Sequence, residues 1–186
     1  MPKIIDETKI FDAALELLVS HGYEGATTQK IAEISGVNEV TLFRKYGSKA
    51  GLFEKVIEHR FSDTPLNTLF YTGELEADLL AIVGAYLETN EAYGDIVPNI
   101  LIELRRNPEL QGTFNTLWKN LQIILKILQK YQKQGLLKGE SPLVSLGALI
   151  GPIMVEQMLR RANLNLPLPT IDPQEHVDRF LRGRMT

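Results

Sequence analysis

Residues 27–49, TTQKIAEISGVNEVTLFRKYGSK, read as two short helices joined by a tight turn. Thr27 is suited to cap the first, its hydroxyl taking a free backbone N–H at the helix start. Ile31, Ala32 and Ile34 supply that helix's apolar side, and Gly36 stands where a left-handed C-terminal turn is needed. Asn38 caps the second helix, in which Val37, Val40 and Leu42 continue the apolar pattern. Ala32 and Gly36 are small where two helices joined by a tight turn must pack closely, and Leu42 plugs the angle between them. A helix held in this way projects from the surface and fits the major groove. The competing reading of the pattern is an ordinary helical hairpin inside a core.

The flanks favour the first reading. Residues 40–50 contain Arg44, Lys45 and Lys49 and no acid, so the exit of the second helix is locally basic. Thr28 and Thr41 add neutral hydroxyl donors for phosphate. Upstream, Ile10, Ala14, Leu17 and Leu18 follow helical spacing and end at His21-Gly22-Tyr23. From about Ile10 to Ile57 the chain reads IFDAALELLVSHGYEGATTQKIAEISGV, then TLFRKYGSK, then AGLFEKVIE. In this run it resembles the TetR family of bacterial transcriptional regulators, of the TetR/AcrR type.

The resemblance implies an all-α fold, with a three-helix helix-turn-helix DNA-binding domain over residues 1–61 and a helical regulatory domain over 62–186. Together with helix geometry it places Gln29, Glu39, Val40 and Phe43 at base edges. Gln pairs with adenine, Glu accepts from cytosine N4, and Val or Phe packs on a thymine methyl. Thr28, Thr41, Arg44, Lys45 and Lys49 fall at phosphates, Lys49 in the first turn of a helix whose N–H groups also favour an anion. Each assignment has a plainer rival. Glu39 also complements the positive N-terminus of its own helix, Arg44 and Lys45 also read as solvated charges, and Tyr46 reads as packing against the first helix. Phe43 departs from the family, where tyrosine is common, so a hydroxyl–phosphate bond is missing here.

Composition fits one compact helical unit or two tightly joined ones: 186 residues, 44% hydrophobic and 23% charged. The absence of cysteine excludes disulfides, thiolate metal sites and cysteine nucleophiles, and suits a cytoplasmic location. The longest apolar stretch, Leu143 to Val155, reads as too short for a bilayer span, and Asp6 and Glu7 ahead of the first apolar face do not read as a signal peptide. Charge is awkward for a DNA binder. The formal net charge is −3, and residues 1–60 hold eight Lys and Arg against nine Asp and Glu. Binding must rest on local placement, with weak non-specific affinity.

From residue 49 onward only helices are predicted: 49–61, 74–90, 95–107, 109–134 ended by Gly135, 142–161 opened by Ser141-Pro142, and 172–181 opened by Asp172-Pro173-Gln174-Glu175. Residues 62–73 and 163–171 read as connections. The resemblance implies a homodimer and a small-molecule effector bound by the second domain. Gly147, Ala148 and Gly151 form a strip that admits another helix closely, and Val177, Phe180 and Leu181 would complete a two-fold interface, unless both pack within the chain. Tyr86, Asn90, Tyr93, Trp118, Gln122, Met154 and Gln157 combine apolar bodies with polar ends and are pocket candidates, with Glu103 as an anchor for a cationic ligand or an N–H acceptor. Their apolar bias suggests a hydrophobic effector. No catalytic group, metal site, cofactor motif or membrane partner is expected, since His21, His59 and His176 lie in no metal-ligand spacing and there is no phosphate-binding glycine loop. The leading expectation is a repressor released by its effector from a palindromic DNA operator. A regulator without an effector, and a helical ligand-binding or enzymatic protein keeping the motif as scaffold, are the alternatives.

Overall fold

The computed structural model describes residues 6–94, 96–163 and 167–185. Within them the secondary structure is helical apart from one isolated bridge, Leu137 with Met185. The helices are α1 (Glu7–Gly25), α2 (Thr28–Ser35), α3 (Glu39–Tyr46), α4 (Lys49–Ser62), α5 (Leu75–Tyr93), α6 (Ile96–Leu104), α7 (Gln111–Lys133), α8 (Pro142–Arg161) and α9 (Pro173–Arg182), with short 3₁₀ turns at 65–68 and 108–110. The start expected at Asp95 and the middle of 163–171 lie outside the described residues.

Local chemistry explains most boundaries. Asp6, Thr27, Asn38, Ser48 and Asp172 each accept a backbone N–H at the start of a helix through the side chain, which stabilises each helix by about 1 kcal/mol. Ser141 precedes α8 without such a bond, leaving Pro142 as the start signal. Gly36 ends α2 with φ 68°, and its N–H and that of Val37 return to Glu33 and Ala32. Inside α1, Gly22 breaks the helix at φ 70° and ψ 177°, a conformation essentially reserved for glycine. A final turn then closes with the Ala26 N–H on the Gly22 carbonyl.

Contacts divide the chain into two compact units, residues 1–63 with 93–118, and residues 64–92 with 119–186. The first therefore takes back a segment that the sequence reading assigns to the regulatory half. The reason is burial. Ile96, Ile100 and Leu110 share one core with Ile10, Phe11, Leu17, Leu18, Ile31, Leu42, Leu52, Phe53, Val56 and Ile57, and each such side chain contributes roughly 1.5–3 kcal/mol. The second core joins Leu79, Ile82 and Val83 of α5, Ile124, Leu128 and Tyr131 of α7, Leu149 and Ile153 of α8, and Val177, Phe180 and Leu181 of α9.

Candidate nucleic-acid interface

Helices α2 and α3 present the expected side chains. Leu42 is buried against the first core, which fixes α3 in place and leaves its other faces outward. Val40 is 73% exposed and Phe43 47%. With Arg44 they stand at i, i+3 and i+4, one helical face. Gln29 is exposed near the start of α2, and Thr41 is half-buried. Arg44 makes no ion pair or hydrogen bond among the described residues.

The remaining predicted groups are held by the protein itself. The Thr28 hydroxyl donates to Glu39 Oε1 at 2.6 Å, tying the first residue of α2 to the first of α3. Lys45 Nζ lies 2.9 Å from Glu7 Oε1, and the Tyr46 hydroxyl donates to the same oxygen at 3.0 Å. The Lys45 ammonium holds the Glu7 carboxyl below the usual carboxylate range, and burial followed by Glu7 pushes the Tyr46 hydroxyl up. Tyr46 also packs on Phe11, ring centroids 6.2 Å apart. Lys49 reaches the Glu24 carbonyl at 3.5 Å and sits 4.0 Å above the Tyr23 ring, and partial burial draws its ammonium below the ordinary value. Sequence reasoning missed Glu7, Tyr23 and Glu24 as partners of these cations. They lie on α1, far from α3 and α4 in the chain, and no local spacing signals the pairing.

Several second-half assignments come out differently. Val177, Phe180 and Leu181, expected at a dimer interface, are buried in the chain's own second core, where His176 Nε2 also stands 2.6 Å from the Leu149 carbonyl oxygen. Gly147 is exposed and Gly151 half-buried, with no atom within 4 Å of where a Cβ would stand, while Ala148 leans on the core. Val144, Met154, Val155 and Met158 of the same helix are exposed. α8 as a whole is long and apolar enough to cross a bilayer by length and composition alone, a test that a core helix also passes.

Tyr93, Glu103 and Trp118 belong to the first unit, not to a cavity of the second. Tyr93 packs on Phe61 at 5.3 Å and Trp118 stacks on Phe114 at 6.1 Å. Glu103 takes the N–H acceptor role: one oxygen takes the Tyr23 N–H at 3.1 Å and the other the Asn107 amide at 2.9 Å. In the second unit, Tyr86 and Asn90 are half-buried, Gln122 and Met154 exposed, and Gln157 donates to Glu156 at 2.9 Å. Among the described residues, the Thr89 hydroxyl and the Asn90 side-chain nitrogen are buried without a hydrogen-bond partner. An open groove of about 460 Å³ runs along α5, walled by Leu69, Phe70, Ala77, Asp78, Ala81 and Ala85 among others. None of the predicted pocket residues walls it. Among the described residues no group of three His, Asp or Glu is placed to hold a metal ion.

Comparison with known proteins agrees with this geometry. Residues 10–56, the span of α1 to α4 just described, match the family of bacterial regulatory proteins, tetR family. The HTH-type transcriptional regulator YvkB of Bacillus subtilis is 34% identical over 125 residues, 67% of this chain and 65% of YvkB. The HTH-type transcriptional repressor ComR of Escherichia coli is 26% identical over 149 residues, 76% of this chain and 70% of ComR. The chain thus spans about two thirds of the length of these relatives. The crystal structure of the transcriptional regulator FadR from Bacillus subtilis, in complex with stearoyl-CoA, is similar with a TM-score of 0.70 at 17% identity, over 95% of this chain and 96% of FadR. A capped α2, a glycine turn, an outward α3 and a matching sequence through α4 converge on one conclusion: residues 10–56 are a helix-turn-helix region of the TetR family of bacterial regulatory proteins.

Proposed function

We propose that the protein is a homodimeric repressor, released from a palindromic operator in the cytoplasm by a small hydrophobic effector. The observation that carries the dimer is the face of α8. Val144, Gly147, Gly151, Val155 and Met158 recur at helical spacing, the apolar ones are exposed, and the glycines leave room for a second helix. Apolar surface of this kind on a regulator is covered by a partner, and a two-fold copy is the simplest one. It would set two reading heads roughly 34 Å apart, one turn of DNA. α3 then enters the major groove with Val40 and Phe43 toward bases and Arg44 toward phosphate. Lys45 and Lys49 join it there by exchanging their internal acceptors for phosphate oxygens, beside Thr41 and the N-terminus of α2.

Repression is supported by the likeness to ComR, a repressor, and a hydrophobic effector by the likeness in fold to FadR, which binds stearoyl-CoA. In this chain the second unit offers Tyr86, Asn90, Gln122, Met154 and Gln157 around such a ligand. The unpartnered Thr89 hydroxyl and Asn90 amide suit its polar end, since buried polar groups are paired in finished complexes. A hundredfold loss of operator affinity requires about 2.7 kcal/mol of preference for the DNA-incompetent state.

Sedimentation and operator footprinting test the proposal together. The parent chain should sediment as a dimer and protect two symmetric half-sites. Gly151→Arg should shift the protein to monomer and abolish protection, because it places an unpaired charge in a close contact. An unchanged dimer, or protection of a single asymmetric half-site, would move the interface elsewhere.

A further inference from the structure

The helix-turn-helix contains one polar link between its two helices that capping does not require. Thr27, not Thr28, caps α2, its hydroxyl oxygen accepting the Lys30 N–H at 3.3 Å. Asn38 caps α3 through the Val40 N–H at 2.8 Å. The Thr28 hydroxyl is therefore free of both helix ends, and its single proton goes to Glu39 Oε1 at 2.6 Å. A hydroxyl has one proton to give. While it is given to Glu39, Thr28 is not a phosphate donor through its side chain, although its backbone N–H at the start of α2 is unaffected.

Both partners are half-buried, so the bond is shielded from competing water on one side, and a hydrogen bond to a carboxylate is among the stronger kinds. Glu39 is a three-torsion side chain on the first turn of α3. Unrestrained, it would lose most of its rotamer freedom on meeting a base. Held by Oε1, it presents Oε2 in one place, already ordered when DNA arrives. We infer that Thr28 is a specificity-determining positioning residue: its hydroxyl fixes the Glu39 carboxylate so that the second oxygen accepts from a cytosine amino group in the major groove. The inference rests on the reading that Glu39 faces a base edge. It also changes the role of Thr28 from gripping the backbone to aiming a base-reading carboxylate.

The consequence separates two kinds of loss. A phosphate donor supports every sequence alike, whereas a positioner supports one base at one pair of symmetric positions. The full-length chain and Thr28→Val, Thr28→Ser, Glu39→Gln and Thr28→Val/Glu39→Gln variants are put through selection from random duplex DNA. Affinities are then measured for the selected site and its single-base variants. Valine keeps the shape of threonine without the donor, and serine keeps the donor.

Glu39→Gln should shift the consensus at one symmetric pair of positions from cytosine toward adenine. Thr28→Val should lower discrimination at those same positions by about fivefold or more and leave the others unchanged. Thr28→Ser should restore it. If Glu39→Gln returns the parental consensus, the base reading itself fails. If Glu39→Gln shifts the consensus but Thr28→Val weakens all sequences equally, in either background, Thr28 is a phosphate donor and the inference is overturned. Melting curves of each variant check that α2 and α3 remain folded.

Discussion

Glu7 shows how much a single acid can matter in a reading head without a basic surplus. Its carboxylate engages Lys45 and Tyr46 at once, so DNA must displace it to recruit that lysine. A half-exposed pair of this type contributes at most about 1 kcal/mol. Glu7→Gln should therefore leave the melting temperature nearly unchanged while tightening non-specific DNA binding by roughly two- to fivefold at low salt. The gain should vanish in a Lys45→Gln background. Binding titrations across ionic strength check this, and an equal gain in both backgrounds would reduce Glu7 to a general field effect. Gly22 is the opposite case, a residue that matters for stability. Its φ is 70°, and an added Cβ would stand 2.7 Å from Glu103 Oε1. Gly22→Ala should cost roughly 1–3 kcal/mol from backbone strain alone, and denaturant unfolding measures it. The caps Thr27, Asn38 and Ser48 were legible in the sequence because capping acts within three residues. Glu7 with Tyr46 and Glu103 with Tyr23 were not, since they join positions 39 and 80 residues apart.

Among the elements, the entry to α5 is fastened to α7 by one buried carboxylate. Asp78 accepts from the Thr72 N–H at 2.9 Å, from the Thr72 hydroxyl at 2.5 Å and from the Tyr131 hydroxyl at 2.5 Å. Burial pushes its pKa up, but the bonds from Thr72 and Tyr131 outweigh it and hold the group below the ordinary aspartate value. A depressed carboxylate stabilises the fold above its unfolded pKa of about 3.9 and loses that contribution as pH falls through the folded value. Asp78→Asn should thus lower stability at neutral pH by roughly 1–3 kcal/mol. The gap to the parent should close as pH drops below about 4, which thermal melts across pH will show; a gap that persists in acid would mean the loss is steric. α8 and α9 illustrate why helix faces are harder to read than helix existence. Both helices follow from periodicity and from Pro142 and Pro173, yet the same apolar residues could face inward or a partner. Val177, Phe180 and Leu181 went inward because α9 has a single apolar side, whereas α8 is apolar nearly all round and keeps Val144, Val155 and Met158 outside.

For the whole molecule, the sequence led to helices and to the reading head, but not to the company that the head keeps. Its core is assembled from two separate stretches of chain, 1–63 and 93–118. Residues 96–110 carry no motif linking them to α1, and only packing reveals that Ile96, Ile100 and Leu110 complete that core. A fragment ending at Asp63 should accordingly be unstable. Its circular dichroism should show a loss of helix and a broad, uncooperative melt, whereas a cooperative transition matching the intact protein would show the second stretch to be dispensable. This discontinuity also bears on the engineering of hybrid regulators. Grafting a relative's first sixty residues onto this chain would give a foreign head that must close over a native plug. Exchange of recognition between family members therefore needs two splices, with α6 and the turn at 108–110 travelling alongside the motif as its tenant segment.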